Sequence, residues 1–235
     1  MFKKMFSLAT VFSFLLLVSA CSDGAEPAAA KVTPPVANAT QSQAQPTDAG
    51  DKGERFIRIA QPVRTSNPDK IEVVEVFWYG CSHCFHFDPM IEAWKKQLPA
   101  DVDFHRSPAM WNDLMVVHAK AYYAALTLGV LDKVHEPIFN AINVDRNMLK
   151  DADALAKLFT EHAGVDADTF RKTFDSFGVN SQVKQADARA RSYGIAGTPE
   201  LIVNGKYRIT GRSAGGRAEM LKVAEELIAK ERAAK

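Results

Sequence analysis

The sequence predicts an α/β fold in which a strand–helix–strand unit and a hairpin–helix unit are separated by an all-helical insertion. Three observations carry this. A β-branched and aromatic run, Ile71 to Phe77, passes through Trp78-Tyr79-Gly80 into a helical pattern that opens at Cys81. From Asp113 to Tyr193 there are helical patterns and no convincing strand. Asn204-Gly205, the strongest short hairpin signal, joins Pro199-Glu200-Leu201-Ile202-Val203 to Lys206-Tyr207-Arg208-Ile209.

The 235 residues are 47% hydrophobic, enough for a substantial core, and carry a formal net charge of +1. That balance excludes a general nucleic-acid binder, which would show a basic excess. Lys3 and Lys4 precede an apolar run from Phe6 to Val18, and Ser19-Ala20 follow. This is the layout of a secretory signal peptide, and the run is short for a span, which needs ~20 apolar residues. Val18-Ser19-Ala20-Cys21 resembles the bacterial lipobox, which implies a signal over residues 1–21 and lipid attachment at Cys21. Lipidation would explain the odd member among three cysteines and would anchor the chain, since each buried methylene contributes ~0.8 kcal/mol. Residues 22–54 are rich in Ala, Pro, Gln, Ser and Thr, and read as a disordered tether.

Order is expected from residue 55. Phe56 to Ala60 reads as a short strand, Ile71 to Phe77 as a buried one, and Val102 to Arg106 as the next. The helix between the last two runs from Cys81 to Gln97, with a kink expected at Pro89. Helices follow over Leu114–Leu128, Val130–Ile142, Asp151–His162, Asp166–Phe174 and Asn180–Tyr193. After the hairpin, Ala214 to Lys230 reads as a terminal helix.

Cys81-Ser82-His83-Cys84 is the chemical centre of the sequence. A C-x-x-C pair alone means a zinc half-site, a redox pair or coincidence. A structural zinc site needs four ligands, and there is no second cysteine pair beside the histidines at 83, 86, 105, 118, 135 and 162. Placement favours redox chemistry. Cys81 at a helix N-terminus meets unpaired N–H groups and the positive end of the dipole, which stabilise a thiolate. Cys84 lies one turn on, beside it and less exposed, so Cys81 can attack and Cys84 can resolve a mixed disulfide. Ser82 and His83 tune the pair, and the His83 ring is expected to hydrogen-bond the thiolate. Gly197-Thr198-Pro199 puts a proline at a strand start, which admits a cis or a trans peptide bond. Glu75 reads from its own surroundings as a strand-edge carboxylate facing solvent.

Phe77-Trp78-Tyr79-Gly80-Cys81-Ser82-His83-Cys84, with Gly197-Thr198-Pro199 and Val203-Asn204-Gly205-Lys206-Tyr207, resembles the DsbA family of bacterial periplasmic thiol:disulfide oxidoreductases. The resemblance implies a thioredoxin fold with an inserted all-helical domain: residues 55–112 and 194–235 form the thioredoxin-like part and 113–193 the insertion. It implies Cys81 as nucleophile, Cys84 as resolving thiol, and a cis Thr198-Pro199 bond whose Thr198 backbone pairs with substrate. It implies that Glu75 is buried and helps proton transfer at Cys84. The function implied is introduction of disulfides into reduced exported proteins in the periplasm. A DsbB-type, quinone-linked membrane oxidase would re-oxidise the enzyme. The protein is expected to be a lipid-anchored monomer that binds no metal and no cofactor beyond its Cys81–Cys84 disulfide. Ser82 and Thr198 depart from the family's best-known member, which has Pro and Val there. Two other readings stand beside this one: an isomerase or reductase kept reduced, and a lipid-anchored module binding metal through Cys81, Cys84 and a histidine.

Overall fold

A computed structural model describes residues 53–235. The expected signal peptide, Cys21 and the tether through residue 52 lie outside the described residues.

The fold is built on strand β2 (Ile71–Phe77), every residue of which is buried. Burial on both faces is what a continuous β-branched run encodes. On one side β2 pairs in parallel with β3 (Val102–Pro108), so the connection must cross over, and α1 (Ser82–Lys95) is that crossover. On the other side β2 pairs antiparallel with β4 (Glu200–Val203), which pairs with β5 (Tyr207–Thr210). The short β1 (Ile57–Arg58) closes the edge, giving the order β1-β5-β4-β2-β3.

Alternation along the strands divides the interior into two cores. Val73, Leu201, Val203 and Ile209 pack against Phe87 and Ile91 of α1 and Met220, Val223 and Leu227 of α8 (Arg217–Ala233). Val74, Val76 and Ile202 face the opposite way, into a core shared with α2 (Asp113–Thr127), α3 (Leu131–Asn143), α4 (Ala152–Ala163), α5 (Ala167–Phe174) and α6 (Phe177–Tyr193). Side-chain caps open four of these five helices: Asn112, Asp151, Asp166 and Ser176 accept from the N–H three residues on.

Three elements depart furthest from the sequence expectation. Strand β1 has two residues because its pairing extends only to Tyr207 and Arg208. Helix α6 begins at Phe177, since Ser176 caps it. The expected terminal helix is two helices, α7 (Gly211–Ala214) and α8, because Gly215 and Gly216 take φ of +88° and +138° between them. Pro89 and Pro137 lie inside α1 and α3.

The hairpin turn has its expected chemistry. Asn204 and Gly205 have φ of +52° and +63°, and the Lys206 N–H bonds the Val203 carbonyl at 3.0 Å. A Cβ on Gly205 would lie 1.9 Å from the Val63 carbonyl oxygen. Gly205→Ala should therefore cost about 2 kcal/mol or more, from positive φ and the backbone clash together. Denaturant unfolding would read this as a lower midpoint, and an unchanged midpoint would contradict it.

Candidate active site

Strand β2 carries the chain to Trp78-Tyr79-Gly80, and α1 starts immediately beyond. Cys81 is the N-cap of α1, with φ −90° and ψ 112°. Its sulfur thus occupies the position where a capping oxygen normally sits. No formal side-chain cap closes the helix, and there is no acidic residue in its first turn. The backbone N–H groups of Cys84 and His83 act on the sulfur instead. Cys81 is partly exposed and Cys84 is buried; both are free thiols.

The two thiols are driven apart in acidity. A hydrogen bond from Cys84 is the largest influence lowering Cys81. The Thr198 hydroxyl and the two backbone N–H groups add to it against burial, and the thiol falls to about 5 from an ordinary 9. Burial pushes Cys84 well above the ordinary value, and hydrogen bonding to Cys81 and the charges of Cys81 and Glu75 push it further. A pair of this kind has one sulfur ready to attack and one that holds its proton.

The second wall of the site is the loop entering β4. The Thr198–Pro199 peptide bond is cis. The Cys81 thiol donates to the Thr198 carbonyl at 3.3 Å, so the two motifs, 117 residues apart, meet at the sulfur. The Glu200 carboxylate accepts from the N–H groups of Gly197 at 2.9 Å and Ala196 at 3.2 Å, which fixes the loop from behind. Thr198 and Pro199 line a groove of about 640 Å³ with His83, Met90, Arg217 and Met220.

Beneath Cys84 lies a buried charge cluster. In the parallel register Glu75 stands directly opposite Arg106. The guanidinium donates to Glu75 at 2.8 Å, to Asp88 at 2.8 Å and to Glu92 at 2.9 Å. Burial raises Glu75 to about 7, with Arg106 working against the rise. The solvent-facing reading of Glu75 is thereby corrected: β2 is an interior strand, and Glu75 is 1% exposed.

Comparison with known proteins gives the family. The family profile described as DSBA-like thioredoxin domain matches residues 91–222. The thiol:disulfide interchange protein DsbA of Pseudomonas aeruginosa is 42% identical over 182 residues, 77% of this chain and 86% of that protein. The Azotobacter vinelandii protein of the same name is 43% identical over 182 residues, 77% of this chain and 85% of its own. The crystal structure of P. aeruginosa DsbA matches with a TM-score of 0.74 over 77% of this chain and 94% of that one. The chain belongs to the DsbA family. It is a thiol:disulfide oxidoreductase with a DsbA-like thioredoxin fold.

Within this DsbA-family frame the remaining site residues can be placed. Ser82 is the first helical residue and is exposed; its carbonyl accepts from His86 Nδ1 at 2.6 Å. The His83 ring differs from expectation. Its Nδ1 lies 3.2 Å from Arg217 Nη1 and accepts from that guanidinium, while the backbone N–H of His83 reaches Cys81. Among the described residues no group of three or more His, Cys, Asp or Glu is arranged to hold a metal ion.

The sequence reading missed Arg106, Asp88, His135, Tyr79, His118, Glu200 and Arg217. Two signals could have found some of them. Arg106 is a charge within an otherwise strand-like run, in register with Glu75. Asp88 follows Cys84 by four residues, on the same face of α1. Trp78 is held from the helical domain, its Nε1–H donating to His118 Nδ1 at 3.0 Å while His118 Nε2–H donates to the Met148 carbonyl at 2.9 Å. The indole leaves no space at Gly80, where a Cβ would meet its Cζ2 at 2.3 Å.

The lowered Cys81 gives a signed pH dependence. A thiol held near 5 against an ordinary 9 stabilises the reduced fold fully above pH 9, and this is lost as pH falls through 5. The oxidised fold has no such thiol. The stability advantage of reduced over oxidised protein should therefore grow from pH 5 to 9, read as the gap between their Tm values. A gap that stays constant across that window would contradict the assignment.

Proposed function

We propose that this oxidoreductase works as an oxidase of exported proteins, with Cys81 as the nucleophile, the sulfur that carries the client in the mixed disulfide, and Cys84 as the resolving thiol. The observation carrying this is the unequal pair. A stabilised Cys81 thiolate favours the reduced enzyme, which makes the Cys81–Cys84 disulfide an oxidant. A client thiolate attacks Cys81, the Cys81–Cys84 bond breaks, and the electron pair leaves on Cys84, which takes up a proton. A second client thiolate then attacks the client sulfur of the mixed disulfide. Cys81 departs as a thiolate, and the client keeps the new disulfide. The two electrons stay on the enzyme's cysteines, so no bound cofactor is required.

Thr198 and Pro199 form the client-facing wall in this proposal. An extended client segment pairs with the Thr198 backbone, which reads shape and not sequence. Glu75 keeps a proton available beneath Cys84. Re-oxidation falls to a DsbB-type membrane oxidase, and the working place is the periplasm, with the chain held as a lipid-anchored monomer through Cys21. The signal-like first 21 residues support export, and the Val18-to-Cys21 motif supports the anchor.

Cys84→Ser leaves Cys81 as a lone thiolate that attacks client disulfides in the reverse of the same exchange, expelling the other client sulfur as a thiolate. With no Cys84 to resolve the product it should accumulate Cys81–client mixed disulfides, and Cys81→Ser should accumulate none. Thiol trapping in intact cells should find the wild-type pair oxidised. A pair held reduced in cells would establish the isomerase reading, and client capture by Cys81→Ser would reverse the roles. In the same cells, Cys21→Ser should lose palmitate label; full labelling of that variant would remove the anchor.

A further inference from the structure

The charge cluster beneath Cys84 extends into the helical domain. His135, on α3, is 5% exposed; its Nε2 lies 3.1 Å from Asp88 Oδ1, and its Nδ1 lies 2.8 Å from the Tyr79 hydroxyl. We infer that His135 is a positioning residue for the thiol chemistry: it holds Asp88 as a carboxylate, leaving Glu75 as the buried acid that exchanges a proton with Cys84. The inference deepens the proposed Cys81–Cys84 reaction and rests on it.

The direction of the hydrogen bonds follows from elimination. A bare Nε2 facing a carboxylate oxygen would set two lone pairs against each other, so Nε2 carries a hydrogen and donates to Asp88. Burial disfavours an imidazolium here and lowers the His135 pKa. Nδ1 is then an acceptor, and Tyr79 donates to it. Burial raises the Tyr79 phenol well above its ordinary value, so that hydroxyl keeps the proton it donates. The result is a one-way chain, Tyr79 to His135 to Asp88, ending on an anion.

The charge balance then assigns the proton. Asp88 faces Arg106 from β3, His135 from α3, and Glu92 and Lys95 of its own helix. Glu75 faces Arg106 and Asp88, with Glu92 and Tyr122 of α2 nearby. Glu92 is part-exposed and is also paired with Lys95 at 2.8 Å. Glu75 and Asp88 are left to share one guanidinium, and two buried anions against one cation favour retaining a proton on the pair. Burial alone would raise Asp88, but the His135 hydrogen bond, with the charges of Arg106 and Lys95, holds it below its ordinary value. Glu75, raised to about 7, is the member that keeps the proton.

Protons balance across the exchange. When the client thiolate breaks the Cys81–Cys84 bond, Cys84 takes the proton from Glu75 and Glu75 becomes a carboxylate. Glu75 regains a proton from solvent. Of the two client protons, one is matched on Cys84 and one is released, because Cys81 remains a thiolate.

The test is a carbon-13 NMR titration of side-chain carboxyl groups in the oxidised protein, which has no Cys81 or Cys84 thiol to titrate. In wild type, Glu75 Cδ should titrate near neutrality and Asp88 Cγ should stay flat from pH 5 to 8. His135→Leu should bring the Asp88 titration into that window. His135→Gln, whose amide can donate to Asp88, should restore the flat response. The wild-type His135 nitrogen-15 shifts should report Nε2 protonated and Nδ1 bare throughout, a readout that needs no variant to fold. A flat Asp88 in folded His135→Leu, an Asp88 titrating near neutrality in wild type, or an imidazolium at His135 would overturn the inference. Turnover is not involved in these readings. Failure of the wild-type protein to oxidise a reduced dithiol peptide would remove the underlying reaction instead.

Discussion

The structure depends on a sulfur placed where a helix has N–H groups and no partner for them. Cys81 is the N-cap of α1, and its anion is stabilised by the helix start, the Cys84 thiol and Thr198. That position exists because β2 is buried on both faces and stops at Phe77, so the next residues must turn at the sheet's C-terminal edge. The crossover required by the parallel β2–β3 pair then supplies the helix. Sheet topology, crossover and thiolate are one arrangement.

The opposite thiol is controlled by burial, and burial brings a cost that the cluster around Arg106 offsets. Glu75, Asp88 and Glu92 come from β2 and α1, and Arg106 from β3, so the guanidinium ties the crossover helix to the strands on either side of it. Removing one partner from such a buried set leaves an uncompensated charge, typically ~3–5 kcal/mol. The helical insertion takes part in the same site. His118 holds Trp78, His135 holds Tyr79 and Asp88, and Asn143 Nδ2 donates to the Tyr79 carbonyl at 2.9 Å. Three side chains of α2 and α3 thus fix the two aromatic residues that lead into Gly80-Cys81.

What the sequence made legible was local. The β-branched run of β2, the helix opening at Cys81, the Asn204-Gly205 turn and the helical character between β3 and β4 are all written in neighbouring residues. The break between α7 and α8 was legible too, in Gly215-Gly216, but the surrounding helical pattern outweighed it. The Cys81–Thr198 juxtaposition was reached through the family resemblance, since nothing in the spacing brings residues 117 positions apart together. The Arg106–Asp88–His135 cluster stayed hidden for the same reason. Arginine, aspartate and histidine are ordinary surface residues, and only strand register and helix packing turn them inward. His83 shows the converse. Its motif position suggested a ring contact with the thiolate, and a residue 134 positions away, Arg217, takes the ring instead.

The Cys81 environment stabilises the reduced pair and so makes the disulfide oxidising. The most direct measurement is the equilibrium of the purified protein with reduced and oxidised glutathione, quantified by mass spectrometry after acid quenching. The reduction potential should lie well above the roughly −220 to −260 mV of a cytosolic glutathione pool. A potential at or below about −270 mV, the range of a reducing thioredoxin, would contradict it.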